Sequence, residues 1–585
     1  MTEPSRIVAD LVVERLRAWH VPRVFGYSGD GVEGLVDALR RADGDPSFVT
    51  ARQEQTAALM AAGHAKYTGS VGVCVATHGP GAVQLLGGLY DAKLESKSVV
   101  AIIGQQTATP LGRAHQQEID VTRLFSDVCE QFIQTATRPE QVPLLLDQAF
   151  RTAVATRSPT CVVLPDDLQM AAVPARMSHN QGVISTAPGL PPARVVPHER
   201  DLNAAAQLLS AGQRVAIMVG QGAAGAAEEI VALADRLDAG VTASLLGKPV
   251  LDERLPFHTG VMGHLGTPAS AQLLGGCDTL LLVGTNAPWT GYYPPPGQAA
   301  VVQIDIDGRK TASRYPVDVP LIGDARETLR ALLPQVPQRS NRDWRGMIEQ
   351  SVDRWRMESV ERARAEAQPL NPQLVLQELS PLLPRDASIS VDVGSVTHWY
   401  AQHLELPPGV NVQLSSTFAS MGCAVPYALA AKLAAPDRPV IALSGDGAMQ
   451  MAGLAELITV ADRWRQWADP RLIVLVLNNR DQAQTSQEQR ERHGHPVHPE
   501  AQRLPDVPYA AWAHLLGLHS TRVERPDLVR PAWEEALAAD RPTVIEAVVD
   551  PAVALQAPEQ PFADLRDLFE DGETVRRMRE HMMRA

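Results

Sequence analysis

The chain has 585 residues, 45% of them apolar and 21% charged, an ordinary folded-protein composition with room for roughly three to four domains. Its formal net charge of −14 argues against nucleic acid as a partner. The five cysteines (Cys74, Cys129, Cys161, Cys277, Cys423) are scattered with no Cys-x-x-Cys pair, which predicts reduced, buried thiols and no disulfide framework or zinc site. No apolar run approaches the ~18 residues of a membrane-spanning helix. Met1–Arg6 lacks the basic-then-apolar order of a signal peptide, so the expected location is the cytoplasm.

Taken in order, residues 1–180 alternate helix and strand, with apolar strands at 23–27, 47–51, 71–76 and 99–103. That rhythm predicts an α/β fold with a mostly parallel sheet. Ser28-Gly-Asp-Gly31 has the form of a phosphate turn, but it lacks a partner motif and is expected to be structural. Residues 175–200, with Pro188, Pro191, Pro192 and Pro197, suggest a linker. A second α/β unit spans 195–335, with strands at 215–219, 279–284 and 301–306 and a Gly-x-Gly turn ending at Gly222. A lone Gly-x-Gly suits either a dinucleotide site or an empty Rossmann-like domain. Residues 340–366 suggest an amphipathic helical linker, and a third α/β unit fills 365–550. The shared rhythm of the first and third units suggests an ancient duplication. The tail, 551–585, is charged and weakly amphipathic, expected to be a solvated helix with at most peripheral membrane contact.

The richest stretch lies in the third unit. The apolar strand Pro439–Leu443 enters Ser444-Gly-Asp-Gly-Ala448, and a later strand, Leu472–Leu477, delivers Asn478-Asn479-Arg480-Asp481. Glycines allow close backbone approach, a following helix N-terminus favours phosphate, and carboxylate and amide oxygens suit Mg²⁺. The pattern predicts a metal-bridged diphosphate site at the carboxyl edge of a parallel sheet.

Gly-Asp-Gly, a helix, a strand and Asn-Asn resemble the signature of thiamine-diphosphate enzymes, and the resemblance runs from about residue 5 to 550. It implies α/β architecture with three doubly wound parallel-sheet domains: aminopyrimidine-binding at 1–180, Rossmann-like at 195–335 and diphosphate-binding at 365–550. It implies Mg²⁺ on Asp446, Asn479 and Asp481, the last often through its main-chain carbonyl. Gly394, Ser395, Gly445, Gly447 and Ala448 would line the diphosphate. Met421 would wedge between the cofactor rings, with the Ala419 and Met421 backbones on the aminopyrimidine. Glu54 would hold the aminopyrimidine in the tautomer that deprotonates the cofactor's own thiazolium. Glu54 and Asp446 would come from different subunits, implying a homodimer or homotetramer.

Within that family the middle unit resembles pyruvate oxidases and pyruvate:quinone dehydrogenases. The likeness places Gly222, Gly263, Thr285, Asp305, Asp307 and Asp324 near an FAD and implies oxidative decarboxylation of a small 2-keto acid, with electrons passed to a quinone or oxygen. Gln116, beside Gln117, stands where pyruvate-using relatives have phenylalanine, which implies a larger or more polar keto acid. His78 and His115 are candidates for proton transfer. The segment 480–490 is an unusually polar loop in this reading. The alternatives are an acetolactate synthase-like carboligase and a catalytically silent homologue acting as a binding subunit; the presence of Glu54, Asp446 and Asn479 argues against the latter.

Overall fold

Long buried strands that read as continuous apolar runs can be covered only by helices on both faces, and the chain builds three such layers. The computed structural model describes residues 6–174, 194–494 and 497–559. It contains three six-stranded sheets in which every paired strand is parallel. The first sheet comprises β1 (Arg23–Gly26), β2 (Ser47–Thr50), β3 (Gly72–Ala76), β4 (Val99–Gln105), β5 (Ile133–Thr135) and β6 (Pro159–Pro165), in the order β2-β1-β3-β4-β6-β5. The central sheet comprises β7 (Val215–Val219), β8 (Gly240–Ala243), β9 (His258–Val261), β10 (Thr279–Val283), β11 (Ala300–Asp305) and β12 (Val319–Ile322), in the Rossmann order β12-β11-β10-β7-β8-β9. The third comprises β13 (Ser388–Val391), β14 (Asn411–Leu414), β15 (Val440–Gly445), β16 (Leu472–Asn478), β17 (His519–Val523) and β18 (Thr543–Val548), ordered β14-β13-β15-β16-β18-β17. The first and third sheets therefore share one topology, as a duplication would leave it. The expected three-unit α/β fold is the observed one.

Seven helices frame the candidate site and its supports: α1 (Glu54–Thr68), α2 (Pro80–Leu94), α3 (Asp343–Ala363), α4 (Ser395–His403), α5 (Ala424–Ala434), α6 (Leu454–Arg463) and α7 (Ala483–His493). Small residues on α1 let it meet α5 closely: a Cβ on Gly63 would lie 2.9 Å from the Tyr427 ring and 3.1 Å from the Ala430 Cβ. One hydrophobic cluster consequently runs through both units, from Leu59 and Leu89 to Tyr427 and Val440. The central unit has clusters of its own, and α3 contributes Trp344, Ile348, Val352 and Trp355 to one of them. The helical linker expected at 340–366 is thus part of the central core.

One local expectation is corrected. The polar stretch after Arg480 is not a loop beyond Gln482 but the helix α7, held without an apolar stripe by pairs such as Gln484–Glu488 (3.0 Å). Most of the 175–200 linker and most of the C-terminal tail lie outside the described residues. Among the described residues no helix is long and apolar enough to cross a membrane.

Candidate active site

In the third sheet the strand order reverses between β13 and β15, which opens a crevice at their carboxyl ends. Gly394 and Gly445 line it, and a Cβ on either would meet nothing within 4 Å. Gly394 has φ +122°, so its lack of a side chain is also a backbone requirement. After Asp446–Ala448 the chain makes a π-helical turn, Met449–Gly453, before α6 begins; such turns are common at functional sites.

Asp446 is buried, and its carboxylate accepts the N–H groups of Gly447 (2.9 Å) and Arg480 (2.6 Å). Burial pushes its pKa up to about 7, opposed by those N–H groups. The Arg480 bond ties the Gly-Asp-Gly turn to the Asn-Asn end of β16, which brings Asp446 and Asn479 together. Asn479 is buried and its Oδ1 accepts the Asp481 N–H (2.9 Å), while Asn478 turns away to donate to Asp506 and Glu546. The Asp481 side chain accepts the Ser486 hydroxyl (2.8 Å) on α7. Among the described residues no three His, Cys, Asp or Glu are grouped to hold a metal. A cation here would lean on amide and carbonyl oxygens besides Asp446.

The loop Ser415–Cys423 closes one wall. Ala419 has φ +58°, uncommon for a residue with a side chain, and Gly422 has φ +88°. Half-buried Met421 faces the Gly-Asp-Gly turn, since a Cβ on Gly447 would lie 3.4 Å from its Cε. Asp392, to which the sequence reading gave no role, ties this wall together. It is buried and accepts from Gly422 N (2.7 Å), Ala424 N (3.2 Å) and Ser444 Oγ (3.1 Å), and burial raises its pKa against those donors. An acid following a buried strand with no cation near it in sequence was the only signal available.

In the first unit Glu54 opens α1 and is half-buried beside the Thr77–Gly81 turn; a Cβ on Gly81 would come 3.0 Å from Glu54 Oε1. His78 is buried, with Nδ1 3.3 Å from Thr77 Oγ1 and 3.7 Å from Asp30 Oδ1. The segment after β4 folds over this turn. Gln106 donates to Gln116 O (2.8 Å), Glu118 accepts from Gly112 and His115, and Gln117 packs on Gly79 with its Oε1 buried and unpaired. Glu54, His78 and Gln117 are therefore neighbours of one turn, whereas His115 and Gln116 are exposed. Within the chain the start of α1 is bonded to α6, between the Gly-Asp-Gly and Asn-Asn ends of the 444–481 stretch: Arg52 N and Thr56 Oγ1 both donate to Glu456 (2.7 and 2.6 Å).

In the central unit the candidates lie at the carboxyl ends of β7, β9, β10, β11 and β12, several with local roles. Gly222 lets β7 and β10 meet, its N–H bonding Gly284 O (3.0 Å), and Gly263 (φ +94°) abuts the Trp289 ring. Asp307 pairs with Arg309 (3.0 Å), and Asp324 caps the helix Ala325–Leu332. Asp305 is buried, which raises its pKa, and Thr285 has a buried hydroxyl without a partner. A cleft of about 630 Å³ lies away from all of these, between the central and third units, lined by Lys248, Trp355 and His403 among others.

Three family models match along the chain: the N-terminal TPP binding domain of thiamine pyrophosphate enzymes over residues 6–124, their central domain over 202–332 and their C-terminal TPP binding domain over 392–547. The chain is 33% identical to the acetolactate synthase isozyme 2 large subunit of Escherichia coli over 558 residues, covering 93% of this chain and 95% of that one. The chain belongs to the thiamine pyrophosphate enzyme family. It is also 33% identical to the YdaP protein of Bacillus subtilis, described by name as thiamine pyrophosphate-containing, over 92% of this chain and 91% of that one. With the pyruvate oxidase of Lactiplantibacillus plantarum it shares 29% identity over 94% of this chain and 89% of the relative. As a thiamine pyrophosphate (diphosphate) enzyme, the chain has a C-terminal binding-domain match that begins at Asp392, just after β13, and contains the whole Gly445–Asp481 stretch.

Proposed function

We propose that this enzyme uses thiamine diphosphate and Mg²⁺ to decarboxylate a small 2-keto acid, pyruvate or a more polar analogue, oxidatively. The carrying observation is Asp446: a buried carboxylate with no cation beside it among the described residues, at the edge of an open glycine-lined crevice. Such a charge is costly unless compensated, and hard oxygen donors suit Mg²⁺. Asp446, Asn479 and the Asp481 carbonyl would hold the metal; Gly394, Ser395, Gly445, Gly447 and Ala448 would give the diphosphate close backbone approach. Thiamine diphosphate, when bound, supplies the electron sink for cleaving the bond beside a keto group. Met421 supplies an apolar wedge, and the Ala419 and Met421 backbones offer hydrogen bonds to the aminopyrimidine. Glu54 of a second subunit holds a proton at the aminopyrimidine ring, so a dimer or tetramer is the active form. His78, His115, Gln116 and Gln117 face the substrate in this reading.

Support for FAD is narrower: the unpartnered Thr285 hydroxyl and buried Asp305 at the carboxyl edge of a Rossmann-ordered sheet, and a pyruvate oxidase among the relatives. Asp307 and Asp324 already serve neighbours, so Gly222, Gly263, Thr285 and Asp305 are the stronger candidates. A carboligase is the second reading, favoured by the 33% identity to an acetolactate synthase subunit.

Absorption spectra of the purified protein with Mg²⁺, thiamine diphosphate and pyruvate separate the two. A flavin band that bleaches, with electrons recovered by a quinone or oxygen, supports the oxidase; acetolactate formed without an acceptor replaces it with the ligase. Glu54→Gln should lower turnover by about 10²- to 10⁴-fold while cofactor still binds; unchanged turnover would remove the assigned role of Glu54.

A further inference from the structure

The loop assigned to the aminopyrimidine, Ser415–Cys423, is an awkward piece of backbone, with Ala419 at φ +58° and Gly422 at φ +88°. Backbone of this kind persists only where its surroundings over-determine it. One end is fixed by Asp392 of the same unit, through Gly422 N and Ala424 N. The other end is fixed by the first unit. Glu95, immediately after α2 and buried, accepts the N–H groups of both Ser416 and Thr417, the latter at 3.0 Å. Tyr90, on α2, stacks on Phe418 with centroids 5.7 Å apart and planes 19° from parallel. Lys66, on α1, donates to Leu414 O (2.9 Å) at the end of β14, just before the loop begins.

The charges show what this arrangement is built to hold. Lys66 lies 2.9 Å from Asp91 and 3.6 Å from Glu95, and all three are buried on the first unit. Their attraction therefore does not itself join the two units. What crosses the boundary is the Tyr427 hydroxyl, the Leu414 carbonyl and the two loop N–H groups. A carboxylate accepting two main-chain N–H groups makes bonds stronger than neutral ones and fixes two successive peptide planes.

We propose that Glu95 and Tyr90 are positioning residues that hold Ser416–Met421 in the shape that receives the aminopyrimidine of a cofactor bound to the third unit of the same chain. The inference rests on the thiamine diphosphate reading of the site. Each first unit then serves two sites, its own through Glu95 and Tyr90 and a neighbour's through Glu54.

The test measures thiamine diphosphate affinity in the full-length protein with saturating Mg²⁺, alongside the near-ultraviolet circular dichroism of the bound aminopyrimidine. Glu95→Ala should weaken the cofactor roughly tenfold to a hundredfold and diminish that signal. Glu95→Gln keeps an oxygen acceptor and should recover most of the affinity. Tyr90→Leu removes the stacking without touching a buried charge and should weaken the cofactor by roughly two- to tenfold. A lower melting temperature with unchanged affinity and dichroism in Glu95→Ala would overturn the proposal, as would an unaltered Tyr90→Leu protein should Glu95→Ala fail to fold. Wild-type protein that takes up no thiamine diphosphate would overturn the parent reading as well.

Discussion

The first and third units share a strand order and a switch point, and each carries a Gly-Asp-Gly turn after a switch-point strand, β1 in the first and β15 in the third, yet the two crevices differ. In the first unit the space is filled: a Cβ on Gly104 would lie 2.1 Å from Gly31 O, and one on Gly29 would lie 2.7 Å from the Thr77 Cβ. Its carboxylate, Asp30, is mostly exposed and accepts from Thr77 Oγ1 (3.1 Å). In the third unit Gly394 and Gly445 face open space and Asp446 is buried. The tripeptide alone does not make a phosphate site. What decides is whether neighbouring strands crowd the turn or leave it room, and whether its acid is desolvated.

The largest expected effect separates the two acids. Asp446→Asn should weaken Mg²⁺-dependent thiamine diphosphate binding by at least about a hundredfold, as removal of a metal ligand does. Asp30→Asn should leave that affinity unchanged, and calorimetric titration of both variants checks the contrast. Similar losses from the two would erase the distinction.

Next come the glycines. Gly445 has φ −93°, a conformation open to alanine, so Gly445→Ala should alter stability by less than ~0.5 kcal/mol while its methyl blocks the diphosphate. Gly104→Ala should do the reverse, costing about 1–3 kcal/mol through overpacking and sparing cofactor affinity in the folded protein. Denaturant titration paired with cofactor titration reads both.

The smallest effect concerns acid. His64 of the first unit is buried with neither ring nitrogen partnered, and burial lowers its pKa to about 4. A base depressed in the folded state stabilises fully above its unfolded pKa near 6.5, and that stability is lost as pH falls through about 4. His64→Leu should remove on the order of 1–3 kcal/mol of the stability lost between those two pH values. An unaltered pH profile in denaturant melts would show that His64 does not remain neutral in the fold.

How much of this was legible in sequence depends on the range of the interactions. Gly-Asp-Gly and Asn-Asn could be read because buried parallel strands leave continuous apolar runs and the turns between them demand particular residues. Helix α7 could not, because its stabilising pairs are polar and leave no apolar period. The edge strands β5 and β17 are short and partly exposed, so they carry no such run. Asp392 and Glu95 were missed for a different reason: each holds main-chain N–H groups far along the chain, 30 and 321 residues away in the case of Gly422 and Ser416. Asp307 and Asp324 are the opposite case, an acid at a strand end or before a helix satisfied two or three residues on.

The interlocked α1–α5 packing bears on how relatives of this enzyme could exchange parts. Gly63 is seated against Tyr427 and Ala430, so a chimera that swaps only the first or only the third unit inherits a mismatched seam through its buried interior. The central unit has hydrophobic clusters of its own, but it also meets the third unit, where Leu245 and Leu246 pack on that unit's core and Gln402 donates to Gly266 O (2.7 Å). Recombination that grafts a new middle onto an unchanged pair of flanking units leaves the α1–α5 packing intact but has to keep those contacts with the third unit.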